Sequence, residues 1–203
     1  MNTIVFKYRR AKIDLIGKVL DHYVQKAISN HDIKIVTVTG TIGKTSAKVA
    51  ISQLLATKYT TFIEDKNHNS DRAIRLNFFG IDFPDHSRRM IVWMRVLHKV
   101  RKVAKNFPYE VVVLELAESR HSSLKKFVTS ITPDIGVVTA VSPVHMSYFK
   151  TFEKVVTGTW SLVEPSKSIV YNADFAELAE LASSQKNSYG YGLKIGEAIS
   201  LIR

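Results

Sequence analysis

The chain has 203 residues, 45 % of them hydrophobic, which suits one large domain with a sizeable core. It contains no cysteine, which excludes a disulfide framework and any thiolate metal site and fits a reducing compartment, the cytoplasm by default. The formal net charge of +11 raises the question of an anionic partner, but no apolar run approaches the roughly 18 residues of a spanning helix, and the N-terminus lacks the apolar core of a secretion signal.

Taken in chain order, Tyr8 to Ile28 sets Ile13, Ile16, Leu20, Val24 and Ala27 along one helical stripe with mostly basic residues between, so residues 1–32 read as an N-terminal amphipathic helix ahead of a domain spanning 33–203. A β-branched strand, Ile33 to Thr39, runs into a Gly-rich turn, followed by a helix from Ser46 to Ala56 and a strand from Tyr59 to Ile63. A polar loop leads to a basic helix within residues 88–105 and then to "EVVVLELAE", 110–118. A short helix over Ser122 to Thr129 precedes "DIGVVTAVS", 134–142; a helix from Phe152 to Val163 precedes "SIVYNAD", 168–174; a last helix, Phe175 to Ser183, precedes "SYGYG". Val/Ile-rich strands alternating with helices predict an α/β fold, a three-layer αβα parallel sheet covered on both faces.

The positive excess is concentrated in the first helix and in "RRMIVWMRVLHKVRKVAK", 88–105, which holds seven Lys/Arg and no acid. Trp93, Val96, Leu97, Val100 and Ala104 fall at helical spacing, so the plain reading is a helix packed by that face with its cations in water. Other uses of the charge are an anionic membrane surface, an anionic substrate or partner, or nucleic acid, for which no binding signature is present.

The turn itself is "VTVTGTIGKTS", 36–46. The strict phosphate-loop pattern G-x-x-x-x-G-K-[ST] fails, because Val38 stands where its first glycine belongs. The shorter Gly40-Thr41-Ile42-Gly43-Lys44-Thr45 lies between a strand and a helix, where backbone N–H groups converge on an anion and glycines permit close approach. Lys44 would add a point charge on outer phosphates and the Thr45 hydroxyl would ligate a magnesium ion; a bland strand-turn-helix is the alternative. In parallel sheets ligands sit beyond the carboxyl ends of the strands, and Glu115, His145, Asn172 and Asp174 all fall at or just after such ends. Taken singly, an acid there is as well explained by a helix cap or solvated loop, and His145 by a loop position; their convergence on one edge carries the reading.

Several stretches fit one family in order. "GTIGKTS" matches the shortened loop G-T-x-G-K-[TS]; "NHNSDRAIRLNFFGI", 67–81, is similar to an Asn-x-Asn segment followed by Gly-x-Pro-Leu; "VVVLELAESR" resembles a strand ending in a metal-binding glutamate. "TPDIGVVTAVSPVHMSYFKTFEKV" resembles a Pro-Asp-Ile strand followed by a metal-binding histidine, and "IVYNAD" an Asn-x-Asp near the nucleotide. Together, from about residue 33 to 195, they resemble the central ATP-binding domain of the Mur ligases, most like the MurF type, which adds D-alanyl-D-alanine to a cell-wall precursor. The resemblance implies ATP and Mg²⁺ as cofactors, with Lys44 on the β/γ-phosphates and Gly40, Thr41, Gly43, Thr45 and Ser46 around them. It puts Asn172 and Asp174 near the nucleotide, Asn67 and Asn69 on the substrate side, a first Mg²⁺ on Thr45, and a second on Glu115 and His145. The implied chemistry is attack of a precursor carboxylate on the γ-phosphorus, then of an amine on the acyl phosphate. Lys44, Glu115 and His145 would be its catalytic residues, with an anionic UDP-sugar peptide as acceptor.

There are departures. Aligning "TFEKVVTGTWSLVE" with the family's helix puts Thr159 where a carbamylated lysine supports the second metal, a role threonine cannot fill. Ala73 and Arg75 replace the Gly and Pro of the Asn-x-Asn segment, and Ala140 an asparagine. Family domains before and after the central one are expected to be missing, to be supplied by a partner chain if the enzyme is whole. A non-catalytic paralogue and a basic membrane- or nucleic-acid-associated protein are the alternatives.

Overall fold

A computed structural model describes residues 3–62, 70–117, 123–144 and 146–193, with side chains from residue 11 onward, Tyr148 excepted. In chain order the elements are α1 (Thr3–Asn30), β1 (Lys34–Thr39), α2 (Lys44–Ala56), β2 (Thr61–Phe62), α3 (Asp71–Asn77), α4 (Met90–Lys105), β3 (Val111–Glu115) and α5 (Ser123–Ile131). They continue with β4 (Ile135–Val138), α6 (Met146–Phe149), α7 (Phe152–Trp160), β5 (Ser168–Asn172), α8 (Ala176–Ser183) and β6 (Ser188–Tyr191). The strands form one sheet in the order β2-β3-β1-β4-β5-β6, every neighbouring pair parallel, as the alternation of strands and helices predicts.

β-Branched residues fill both faces of the central strands, and the alternation of side chains sorts them into two cores. Val36, Val38, Val111, Val113 and Val137 point to one face, where Ala47, Ile51 and Leu55 of α2 pack on them. Ile35, Val112, Leu114 and Leu116 point to the other, where they meet Ile16, Leu20, Val24 and Ala27 of α1, Ile74 and Leu76 of α3, Trp93, Val100 and Ala104 of α4, and Phe127 and Val128 of α5. Val138 and Ile169, which share that second face, carry α7 and α8 through Val156, Trp160, Leu178 and Ala182. Among the described helices α2 therefore stands alone on its face.

The differences from the sequence reading have local causes. The polar loop contains α3, started by Ser70, whose hydroxyl accepts the Ala73 N–H at 3.3 Å. Ile13, expected in the buried stripe of α1, is 43 % exposed, while the other four of that stripe are buried. "SYGYG" supplies β6, the sixth strand, parallel to β5 at the edge of the sheet. Helix α2 begins two residues earlier than Ser46, at Lys44, because Gly43 takes φ 80° and caps it.

Arg75 is buried and bridges three helices. Its Nε donates to Asp21 Oδ1 of α1, its Nη1 to the Asp71 carbonyl at 2.7 Å, and its guanidinium lies 4.7 Å from the centre of the Phe127 ring of α5. Removing the carboxylate alone strands a buried cation. Asp21→Ala should lower stability by about 2 kcal/mol, discounted from the full cost of a broken buried pair because Asp21 is partly in water. Arg75→Met, which keeps the stem and removes the charge, should cost less. Urea denaturation of the two variants checks the order.

Candidate functional site

The register of β1 with both neighbours sets the site, since Val38 pairs with Glu115 of β3 and Thr39 with Val138 of β4. The strand order reverses direction about β1, so the crevice where ligands bind in open α/β sheets opens at the carboxyl ends of β1, β3 and β4. The Gly-rich turn lies there and is pinned from β4. The Thr41 N–H donates to the Ala140 carbonyl at 2.8 Å, and the Thr41 and Ser142 hydroxyls share a bond of 3.0 Å. The Thr139 hydroxyl, 2.6 Å from the Ile42 carbonyl and 3.1 Å from that of Thr39, ties the turn to the end of its own strand. The bond from Thr41 uses backbone at 140 and so does not depend on the side chain there.

Two glycines make the turn possible. Gly40 has φ 138°, and a Cβ on it would stand 2.9 Å from the Ala140 oxygen and run into the Thr139 hydroxyl; Gly43 has φ 80°. From Gly43 the chain enters α2, whose first amides, at Lys44, Thr45 and Ser46, have no intrahelical carbonyl to meet. The half-buried Lys44 ammonium lies back over the turn, 3.4 Å from the Thr41 carbonyl. Thr45 and Ser46 follow on the first turn, with the Thr45 hydroxyl donating to the Glu115 carboxylate, 3.0 Å from Oε2 and 3.2 Å from Oε1. Glu115 has the same parity as Val111 and Val113, which aims its side chain at α2. One turn further along α2, the Lys48 ammonium is 3.5 Å from Glu115 Oε2, with the side chain only 1 % exposed.

The structure therefore brings together Gly40, Thr41, Gly43, Lys44, Thr45, Ser46 and Glu115. Asn172 and Asp174 stand at the carboxyl end of β5, two strands from β1. The Asn172 side chain accepts the Asp174 N–H at 3.0 Å, and Asp174 accepts the Leu193 N–H at 3.0 Å, so this pair shapes the turns after β5 and β6. Tyr191 at the end of β6 reaches back toward the turn, its hydroxyl 3.3 Å from the Thr139 carbonyl. Burial, and after it the charge of Asp174, raises its phenol above the ordinary value. His145, Asn67 and Asn69 lie outside the described residues. Thr159 is in α7, 2 % exposed.

Sequence reasoning missed Thr139 and Lys48. Lys48 carried a readable signal: it stands three residues after Thr45 and four before Ser52, on one side of a helix that packs on a sheet. As a donor set, the Thr45 hydroxyl and Glu115 carboxylate supply the hard oxygens that magnesium takes. Among the described residues no group of three or more acidic or histidine side chains is gathered as a metal cage.

The sequence matches the family model of the Mur ligase middle domain over residues 38–199. The chain belongs to this family. It is 21 % identical to the UDP-N-acetylmuramoyl-tripeptide–D-alanyl-D-alanine ligase of Rickettsia prowazekii, an alignment covering 95 % of this chain and 40 % of that protein. In fold it is similar to the MurF ligase of Thermotoga maritima solved with ADP, at TM-score 0.65 and 22 % identity over 90 % of this chain and 37 % of that one. A pseudomurein peptide ligase type C from Methanothermus fervidus is similar at TM-score 0.55 and 19 % identity, covering 79 % of this chain and 27 % of that one. The chain thus spans about two fifths of the curated relative's length.

Gly40 is the residue on which the turn's shape depends most. Gly40→Ala should cost about 2 kcal/mol, the scale of a backbone strain no side chain can adopt without shifting β4. Thermal melting checks this; Gly17→Ala in α1, where nothing stands within 4 Å, is the control and should not destabilise.

Proposed function

We propose that the chain is the ATP-binding central domain of a Mur-type ligase, forming an amide between a carboxylate of a peptidoglycan precursor and an amino acid or dipeptide. The observation that carries this reading is the turn at the start of α2, where Gly40 and Gly43 expose backbone amides beside Lys44, and Thr45 meets Glu115 at the switch point of the sheet. The family membership and the ADP bound by the Thermotoga relative support it.

In this reading the first amides of α2 and the Lys44 ammonium hold the phosphates, and Lys44 leaves its rest position over the Thr41 carbonyl to reach them. Thr45 would hold the Mg²⁺ that accompanies the nucleotide, and Glu115, with His145, a second. Magnesium, when bound, neutralises phosphate and carboxylate oxygens that would otherwise repel. The role of the protein is to hold these groups in line on rigid elements, since alignment supplies much of the rate in phosphoryl transfer. In the same reading Asn172 and Asp174 would border the nucleotide, and Asn67 and Asn69 the precursor, an anionic UDP-sugar peptide that the chain's positive charge would attract. The cytoplasm, where such precursors are built, is the proposed location.

A second reading, a nucleotide-binding paralogue without catalysis, is favoured by Thr159. A buried threonine offers no carbamate oxygen to a second metal, so that site should be weak. Lys44→Ala should weaken Mg·ATP binding at least about tenfold with little change in melting temperature, because a half-exposed lysine carries little of the core. Calorimetry showing equal binding by both proteins sinks the nucleotide reading. Magnesium titration of the nucleotide complex separates the two functions: one occupied site points to the paralogue, two to the ligase, and Thr159→Lys with bicarbonate should raise the second.

A further inference from the structure

Lys48 is among the largest fully buried side chains of the protein, and a lysine at 1 % exposure demands an explanation, since this residue is almost never buried without a charge partner. One partner is Glu115, itself only 9 % exposed and, under the proposed function, a metal-binding carboxylate. The two cannot be independent. Glu115 holds the Thr45 hydroxyl and the Lys48 ammonium at once, and Thr45 and Lys48 stand three residues apart, on neighbouring turns of one side of α2.

We propose that Lys48 is a built-in counter-ion that positions Glu115 against Thr45 in the metal-free protein and competes with a divalent cation for that carboxylate. The inference rests on reading Glu115 as a metal ligand and adds what controls its affinity. A buried carboxylate without a cation beside it would be costly; the Lys48 ammonium, 3.5 Å away, offsets that cost and keeps the carboxylate aimed at Thr45. The same ammonium opposes a second cation. A divalent ion arriving near Oε2 meets a fixed positive charge that α2 prevents from leaving, so metal entry is favoured only when additional negative charge, such as that of nucleotide phosphates, arrives with it. The site is thereby made dependent on nucleotide. A purely structural ion pair would keep Lys48 and Glu115 together without any effect on metal affinity.

The test is Mn²⁺ binding without nucleotide, read by electron paramagnetic resonance on the whole chain. Lys48→Met, which keeps the apolar stem, should bind Mn²⁺ about tenfold or more tightly than the wild type, and Lys48→Arg should bind as the wild type does. Lys48→Met/Glu115→Gln should lose the gain, which assigns it to this carboxylate. Equal or weaker binding by Lys48→Met overturns the proposal, as does a gain that survives in the double variant. Should Lys48→Met be unfolded without metal, the readout becomes its melting temperature against Mn²⁺ concentration. A rise that the double variant lacks supports the proposal, and no rise overturns it. Because no nucleotide is present, this outcome is independent of the ATP titration of Lys44→Ala, and either reading can fail alone.

Discussion

The parallel register of β1 with β3 and β4 is the constraint on which the candidate site depends. It sets Val38 level with Glu115 on one side and with Val137 on the other, so that three chain segments leave the sheet side by side. The turn after β1 then needs no long arms to find its supports. Thr139 and Ala140 hold it through short bonds to backbone carbonyls and amides, and a slip of one residue in β4 would exchange Val138 for its neighbour and turn every inward side chain outward. The hydroxyl of Thr139 is buried under this turn, so a substitution there would leave the Ile42 carbonyl short of a donor, while the Thr39 carbonyl would keep the Thr139 N–H.

Two buried cations show how differently this fold uses charge. Arg75 lies on the crowded face and has a donor for each of its neighbours: an aspartate from α1, a carbonyl of its own helix and an aromatic ring. Its planar fork suits such fixed, several-sided recognition. It ties the first helix to the rest, and the apolar stripe Ile16, Leu20, Val24 and Ala27 completes that attachment. Lys48 lies on the opposite face with a compact charge on a flexible stem, next to a carboxylate that also accepts the Thr45 hydroxyl. Replacing the Arg75 network with apolar groups would act on the attachment of three helices, whereas replacing Lys48 would act on the carboxylate that faces the Gly-rich turn's helix.

How far the sequence is legible follows from range. The strands were readable because β-branched runs buried on both faces leave a strong local pattern, and the turn because Gly40 and Gly43 punctuate it between a strand and a helix. Glu115 could be placed at a strand end and Thr45 on a helix start, but their contact depends on parity across two elements 70 residues apart. Helix α3 escaped because its seven residues are too short for a periodicity, and only the Ser70 cap marks its start. Ile13 had the right spacing but is 43 % exposed, outside the packed part of the stripe. The spacing of Lys48 from Thr45 and Ser52 marked the packed side of α2, but its residue type pointed the other way, since a lysine in an amphipathic helix is ordinarily in water.

The handedness of the connections explains why the buried lysine had to come from α2. Crossovers between parallel strands are right-handed, so the direction of travel across the sheet decides the face that each helix takes. From β1 the chain steps outward over β3 to β2, and α2 covers one face on the way. Every later step, β2 to β3, β3 to β4, β4 to β5 and β5 to β6, moves in the opposite direction and sends its helices to the other face. Glu115 points to the face of α2 because of its place in β3, and no other described helix reaches that side. A charge partner for it must therefore stand on α2 within reach of the carboxyl edge, and Lys48, one turn beyond Thr45, is the lysine that the geometry puts there.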